Sequence, residues 1–201
     1  MSEQLLPGYF IRRGSTLDRS LLLKFMQQTY QDLFPNQDFS HLEQTVKQYF
    51  SSDTPLWWVD FSSQGDEGDE EAGGDEGARE VNSSSSPSSP SSPSSPSSPS
   101  SPSSPSSPHP PIACVWVGNA IDQVQGNRHA HIFVLYVAPE HRRRGIGTAL
   151  MQYVENWAIQ RGDRQIGLQV FQSNKPALNL YHQLGYQTQS LWMVKFLNTQ
   201  K

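Results

Sequence analysis

An α/β fold built on one mixed sheet is what this sequence predicts, and three observations lead to it. Leu56–Phe61 (LWWVDF), Ile112–Val117 (IACVWV) and His129–Val137 (HAHIFVLYV) are strand-like runs with no helix pattern between them, as in an antiparallel meander. His129–Val137, a helix-periodic run from Ile146 and Gln165–Phe171 (QIGLQVF) then form a strand–helix–strand crossover, which sets two strands parallel. Four helix-periodic runs accompany these strands, so about four helices flank the sheet.

Gly8–Arg13 (GYFIRR) opens as a short strand. Leu17–Phe34 carries apolar residues at helical spacing, from Leu17 through Leu21, Leu22, Phe25 and Met26 to Leu33, and Pro35 ends it. Ser40–Phe50 is a second helix, with Ser40 and Glu43 placed as a capping box. The strongest pattern follows the third strand. Ile146, Ala149, Leu150, Tyr153, Val154, Trp157 and Ala158 line one helix face, closed by Arg161 and Gly162. Asn174 is placed to cap a last helix through Ala177, Leu180, Tyr181 and Leu184, with Pro176 in its first turn and Gly185 after it. Tyr186–Leu197 reads as one or two closing strands, and Trp57, Trp58, Trp116 and Trp192 as core.

The 201 residues carry a formal charge of −4, but the charge is unevenly placed. Ser62–Pro110 holds eight acids against Arg79 alone, a net −7, while the other 152 residues carry 14 bases against 11 acids. An acidic, Gly-rich stretch is followed by Ser-Ser-Pro repeats from Ser83 to Pro108. With almost no apolar surface to offset chain entropy, this composition predicts a disordered insert over 62–111. It interrupts one domain formed by 1–61 and 112–201, in a hairpin where a long loop costs little. A single cysteine, Cys114, excludes an internal disulfide framework and a cysteine-rich zinc site. No apolar run reaches membrane-spanning length and the N-terminus lacks a secretory pattern, so a cytoplasmic protein is expected. The remaining histidines show no ligand-like spacing, and no metal is expected.

Between the third strand and the long helix lies Arg142-Arg143-Arg144-Gly145-Ile146-Gly147. Free amides at a helix start and the helix dipole attract anions, and adjacent arginines add positive field. Gly145 and Gly147 leave the backbone open to a phosphate. Thr148-Ala149 lacks the Lys-Ser/Thr of a Walker A loop, and Leu150 replaces the third glycine of a dinucleotide fingerprint. This one basic cluster is absorbed by a small anion, so a nucleic-acid partner is not expected.

The six residues closely resemble the pyrophosphate loop, Arg/Gln-x-x-Gly-x-Gly/Ala, of the GCN5-related N-acetyltransferase (GNAT) superfamily. Leu135-Tyr136-Val137-Ala138-Pro139-Glu140-His141 is similar to that family's approach to the loop. Leu168–Asn174 and Ala177–Tyr186 resemble its second signature, a strand ending in Asn before an Ala…LeuTyr…LeuGly-aromatic helix. The resemblance is strong from His129 to Tyr186. It implies a mostly antiparallel sheet whose central parallel pair splays apart to take acetyl-CoA. Leu135, Tyr136 and Val137 would lie along the pantetheine arm. Arg142, Arg143, Arg144, Gly145, Ile146, Gly147 and Thr148 would hold the pyrophosphate. Asn174 would contact the cofactor arm, and Tyr181 would stand near the thioester sulfur.

For chemistry, the resemblance implies acetyl transfer to a primary amine, small-molecule or protein, in a ternary complex. Such an amine must lose a proton and the leaving thiolate must gain one. Tyr181 is the candidate acid. Many relatives carry a Glu base eleven positions before the loop, where this chain has His131, with His129 two residues away. Relatives of the ribosomal-protein alanine type place Glu on the next strand, where Gln169 cannot act as a base. That departure supports an alternative, a non-catalytic acyl-CoA-binding or regulatory module of the same fold. A third reading makes the low-complexity tract an interaction scaffold.

Overall fold

A computed structural model of the chain describes residues 2–62 and 110–197. The acidic and Ser-Ser-Pro tract lies almost wholly outside the described residues. Six strands form one sheet in chain order: β1 (Ser2–Leu6), β2 (Tyr9–Arg13), β3 (Leu56–Phe61), β4 (Ala113–Ile121), β5 (Arg128–Val137) and β6 (Ile166–Leu168). All neighbours are antiparallel except β5 and β6, which run parallel through Ala130↔Ile166, His131↔Gly167 and Ile132↔Leu168. Four helices flank the sheet: α1 (Arg19–Gln31), α2 (Leu42–Tyr49), α3 (Ile146–Arg161) and α4 (Lys175–Gln183).

Each sheet face buries its own core. Alternation along the strands sends Trp57, Val59, Val115, Val117, Ala130 and Ile132 to the face covered by α3 and α4. It sends Trp58, Cys114, Trp116, Val134 and Tyr136 to the face covered by α1 and α2. Helix α3 supplies Ile146, Leu150, Met151, Val154 and Ala158, the stripe its periodicity predicts. Trp58 and Trp116 are fully buried.

Four sequence expectations need correction. No strand forms over Tyr186–Leu197 among the described residues, and Trp192 is 82% exposed rather than core. The adjacent strand β6 has only three paired residues, so it offers little edge for another strand to join. Ser40 and Glu43 make no capping box: Ser40 donates its hydroxyl to the Asp38 carboxylate, and α2 starts after His41. A capping box does form at Ser15 and Asp18, ahead of α1. β1 was not expected, because SEQLL is short and half polar. Among the described residues no helix is long and apolar enough to cross a membrane.

Candidate active site

The chain leaves β5 through a short turn, Pro139–His141, and reaches α3 at Ile146. In between, Arg143 (φ 64°) and Gly145 (φ 81°) adopt left-handed backbone. That alternation turns successive amides toward one point, the geometry of an anion nest. The first helical bond here runs from Ala149 N–H to the Gly145 carbonyl, at 3.0 Å. Among the described residues, the amides of Arg143 through Thr148 meet no acceptor. Six unpartnered donors therefore lie at the positive end of a 16-residue helix, a place suited to a diphosphate.

The arginine side chains play a different part from the one their sequence suggested. Arg142 donates to the Val137 carbonyl at 2.8 Å, pairs with Asp32 at the end of α1 and lies over the Tyr136 ring. Arg144 donates to the Tyr9 hydroxyl at 3.1 Å, and that hydroxyl also meets His141 Nδ1 at 3.2 Å. Both guanidiniums thus brace the loop against α1 and β2, leaving its amides to face an anion. Gly147 serves packing: a Cβ there would stand 3.2 Å from Leu180, so its absence lets α4 approach α3.

Beside the loop, the parallel pair separates. Pairing of β5 with β6 stops at Ile132↔Leu168, while β5 continues to Val137 against β4 alone. Phe171 turns toward α1, with its ring edge-on to Phe34 at 5.1 Å and Tyr30 at 6.4 Å. Among the described residues, one edge of β5 over Phe133–Val137 has no strand neighbour, and Leu135 and Tyr136 lie in that stretch. The Val137 carbonyl is already used by Arg142. Asn174 caps α4 by accepting from Ala177 N–H at 3.2 Å, which commits its carbonyl oxygen and leaves its amide NH₂.

The apex of this wedge carries the titratable groups. A bulge at Phe133 breaks the β4–β5 register, since Trp116 pairs with Val134 but Val117 with Ile132. It shifts the side-chain alternation, so His129 and His131 share the α1–α2 side with Val134 and Tyr136. His131 sits against the Phe133 ring, at 5.5 Å. Burial lowers its pKa from the ordinary 6.5, and neighbouring His129 lowers it further. Tyr181 belongs to the opposite core, with Ala130 and Ile132. Burial pushes its phenol up to about 12, which keeps the proton on at neutral pH. Candidate base and candidate acid therefore belong to opposite faces of the sheet. Gln169 is exposed.

The sequence pattern of the acetyltransferase (GNAT) family matches residues 111–186, which span β4, β5, the anion loop and both signatures. Over these residues the chain is similar to the acetyltransferase (GNAT) family. The chain is 46% identical over 52 residues to the peptidyl-lysine N-acetyltransferase YiaC of Escherichia coli, covering 26% of this chain and 32% of that protein. It is 40% identical over 60 residues to the mouse thialysine N-epsilon-acetyltransferase, covering 30% of this chain and 35% of that one. The chain thus matches about a third of the length of these relatives. Its GNAT fold superposes on a predicted acetyltransferase from Clostridium acetobutylicum solved with acetyl-CoA, with a TM-score of 0.59 at 15% identity over 94% of this chain and 96% of that one. Asp32, Tyr9, Gly118 and Phe133 went unnoticed in the sequence because their roles arise from contacts between distant segments.

Proposed function

We propose that this protein is an acetyl-CoA-dependent N-acetyltransferase that acts on a primary amine by direct transfer in a ternary complex. The observation that carries the reading is the run of six unpartnered amides from Arg143 to Thr148, next to the unpaired edge of β5. Nest and edge suit the two ends of one ligand, a diphosphate and an amide-rich arm. Arg143–Thr148 would hold the former, and Leu135 and Tyr136 with the Asn174 amide the latter. Acetyl-CoA supplies an acetyl group activated as a thioester.

The chain's own residues then have two proton tasks. On the α1–α2 side, His131 accepts the proton of an incoming ammonium, for which its lowered pKa keeps a lone pair free near neutrality. On the α3–α4 side, the Tyr181 phenol donates to the departing sulfur. Relatives named for lysine-type amines support an amine acceptor.

A thiol-release assay across amine classes tests the proposal: peptide N-termini, lysine peptides, polyamines and small metabolite amines. Release of CoA with at least one class is expected, and its loss in Tyr181→Phe. Binding of acetyl-CoA with no release across the panel would favour a non-catalytic acyl-CoA-binding module.

A further inference from the structure

We propose that Gln165 is a positioning residue that selects which imidazole of the His129–His131 pair receives the proton. The inference rests on the base role given to His131 above.

Asp122, in the turn between β4 and β5, accepts the amides of Val124 and Gln125 on one oxygen, at 2.8 and 2.6 Å. Its other oxygen accepts from Gln165 Nε2 at 2.8 Å. A carboxylate only accepts, so Gln165 must present its NH₂ here and not its carbonyl. The same nitrogen lies 3.3 Å from His129 Nδ1. Since an amide nitrogen only donates, Nδ1 must be the acceptor, and the His129 ring proton resides on Nε2.

A methyl group at Gly167 would stand 3.3 Å from His129 Nε2 and 3.5 Å from His131 Nδ1. The two nitrogens flank one notch, kept open because residue 167 has no side chain. His129 turns an N–H into that notch, so it has no lone pair there to offer. His131 Nδ1 is the nitrogen left to receive. In the step, an N–H bond of the ammonium breaks and an N–H bond forms at Nδ1. The amine keeps the electron pair and the positive charge moves to the His131 ring. The Gln165 donor at Nδ1 thus fixes the neutral His129 ring with its N–H toward the notch and leaves the open lone pair to His131.

The charged groups around the pair are few. Asp122 approaches from the turn. Asp163 and Arg161 at the end of α3 bind each other, and Asp163 also accepts from Ala130 N–H at 3.1 Å. From β6 the neighbour is Gly167, and along β5 it is the Phe133 ring.

Nitrogen-15 spectra of the histidine rings, recorded across pH on the full chain alone, test the inference. Wild type is expected to show the neutral His129 ring as the Nε2–H tautomer, with His131 Nδ1 carrying the free lone pair. In Gln165→Leu, the neutral His129 ring is expected to lose that preference and populate both tautomers. In Gln165→Glu the new acceptor is expected to move its ring proton to Nδ1. Asp122→Asn, which frees the Gln165 amide to turn over, serves as an independent variant should Gln165 changes disturb folding. An Nδ1–H tautomer at His129 in wild type, or an unchanged His129 tautomer in both Gln165→Leu and Asp122→Asn, overturns the inference. The expected ring spectra together with full activity in His131→Gln would overturn the base role and leave the hold of Gln165 on His129 standing.

Discussion

Phe133 lays its ring across Gly118, so close that a Cβ on Gly118 would stand 2.1 Å from the ring edge. Gly118 also pairs across the ladder with His131. The bulge that turns both histidines toward the α1–α2 face thus depends on a missing side chain one strand away. Gly118→Ala forces the ring aside and is expected to cost about 1–3 kcal/mol, as overpacking does. The denaturant midpoint measures that cost. Turnover is expected to fall with it, because His131 moves with the bulge.

Gly145 holds the anion loop in left-handed backbone at φ 81°. Gly145→Ala is expected to lose about 1–2 kcal/mol from the backbone alone. An open site stands around the missing Cβ, with Leu6 at 3.9 Å, so packing adds little. Thermal unfolding checks the stability change, and calorimetry the accompanying loss of acetyl-CoA affinity.

Asp32 and Arg142 form an ion pair with both side chains nearly half exposed. Solvent screening makes such a pair worth less than about 1 kcal/mol. Asp32→Asn is therefore expected to unfold within that margin of wild type, and the difference to vanish in high salt. A larger, salt-independent loss would assign the contact to core packing.

His131 gives the stability a pH dependence of known sign. In the unfolded chain its imidazole takes up a proton as pH falls through about 6.5. In the folded chain burial postpones that uptake to lower pH. Between the two points the unfolded state holds more protons, so stability falls as pH falls through the window and levels off below it. Denaturant titrations from pH 8 to 5 are expected to show this slope, and His131→Gln to flatten it.

Tyr181→Phe is expected to lower kcat by about 10²–10⁴ while acetyl-CoA binding holds. With the phenol pushed up to about 12, no alkaline limb from Tyr181 is expected across the ordinary assay range. Rate–pH profiles and calorimetry on the variant check both points.

Much of this was legible in the sequence, for physical reasons that also mark where legibility stops. Ile146–Ala158 and His129–Val137 follow the periods of a helix and a buried strand, and both form as read. The glycines and arginines of the loop announce an anion site. Their division of labour does not show, because Arg142 meets Asp32 110 positions away in the chain and Arg144 meets Tyr9 135 positions away. The bulge at Phe133 has no local signature, so the face taken by His131 could not be read from alternation. Tyr186–Leu197 has strand-like composition without a strand partner, and composition alone does not supply one. The Gln165 contacts with Asp122 and His129 join three separate segments and leave no motif.

The central claim is that the amide nest of Arg143–Thr148 binds the diphosphate of acetyl-CoA. Titration calorimetry of the full chain with acetyl-CoA, run beside Gly145→Asp, tests it most directly. Saturable binding at one site is expected in the wild type, and its loss in the variant, whose carboxylate would occupy the nest. Absence of binding in the wild type, or equal affinity in the variant, would contradict the account.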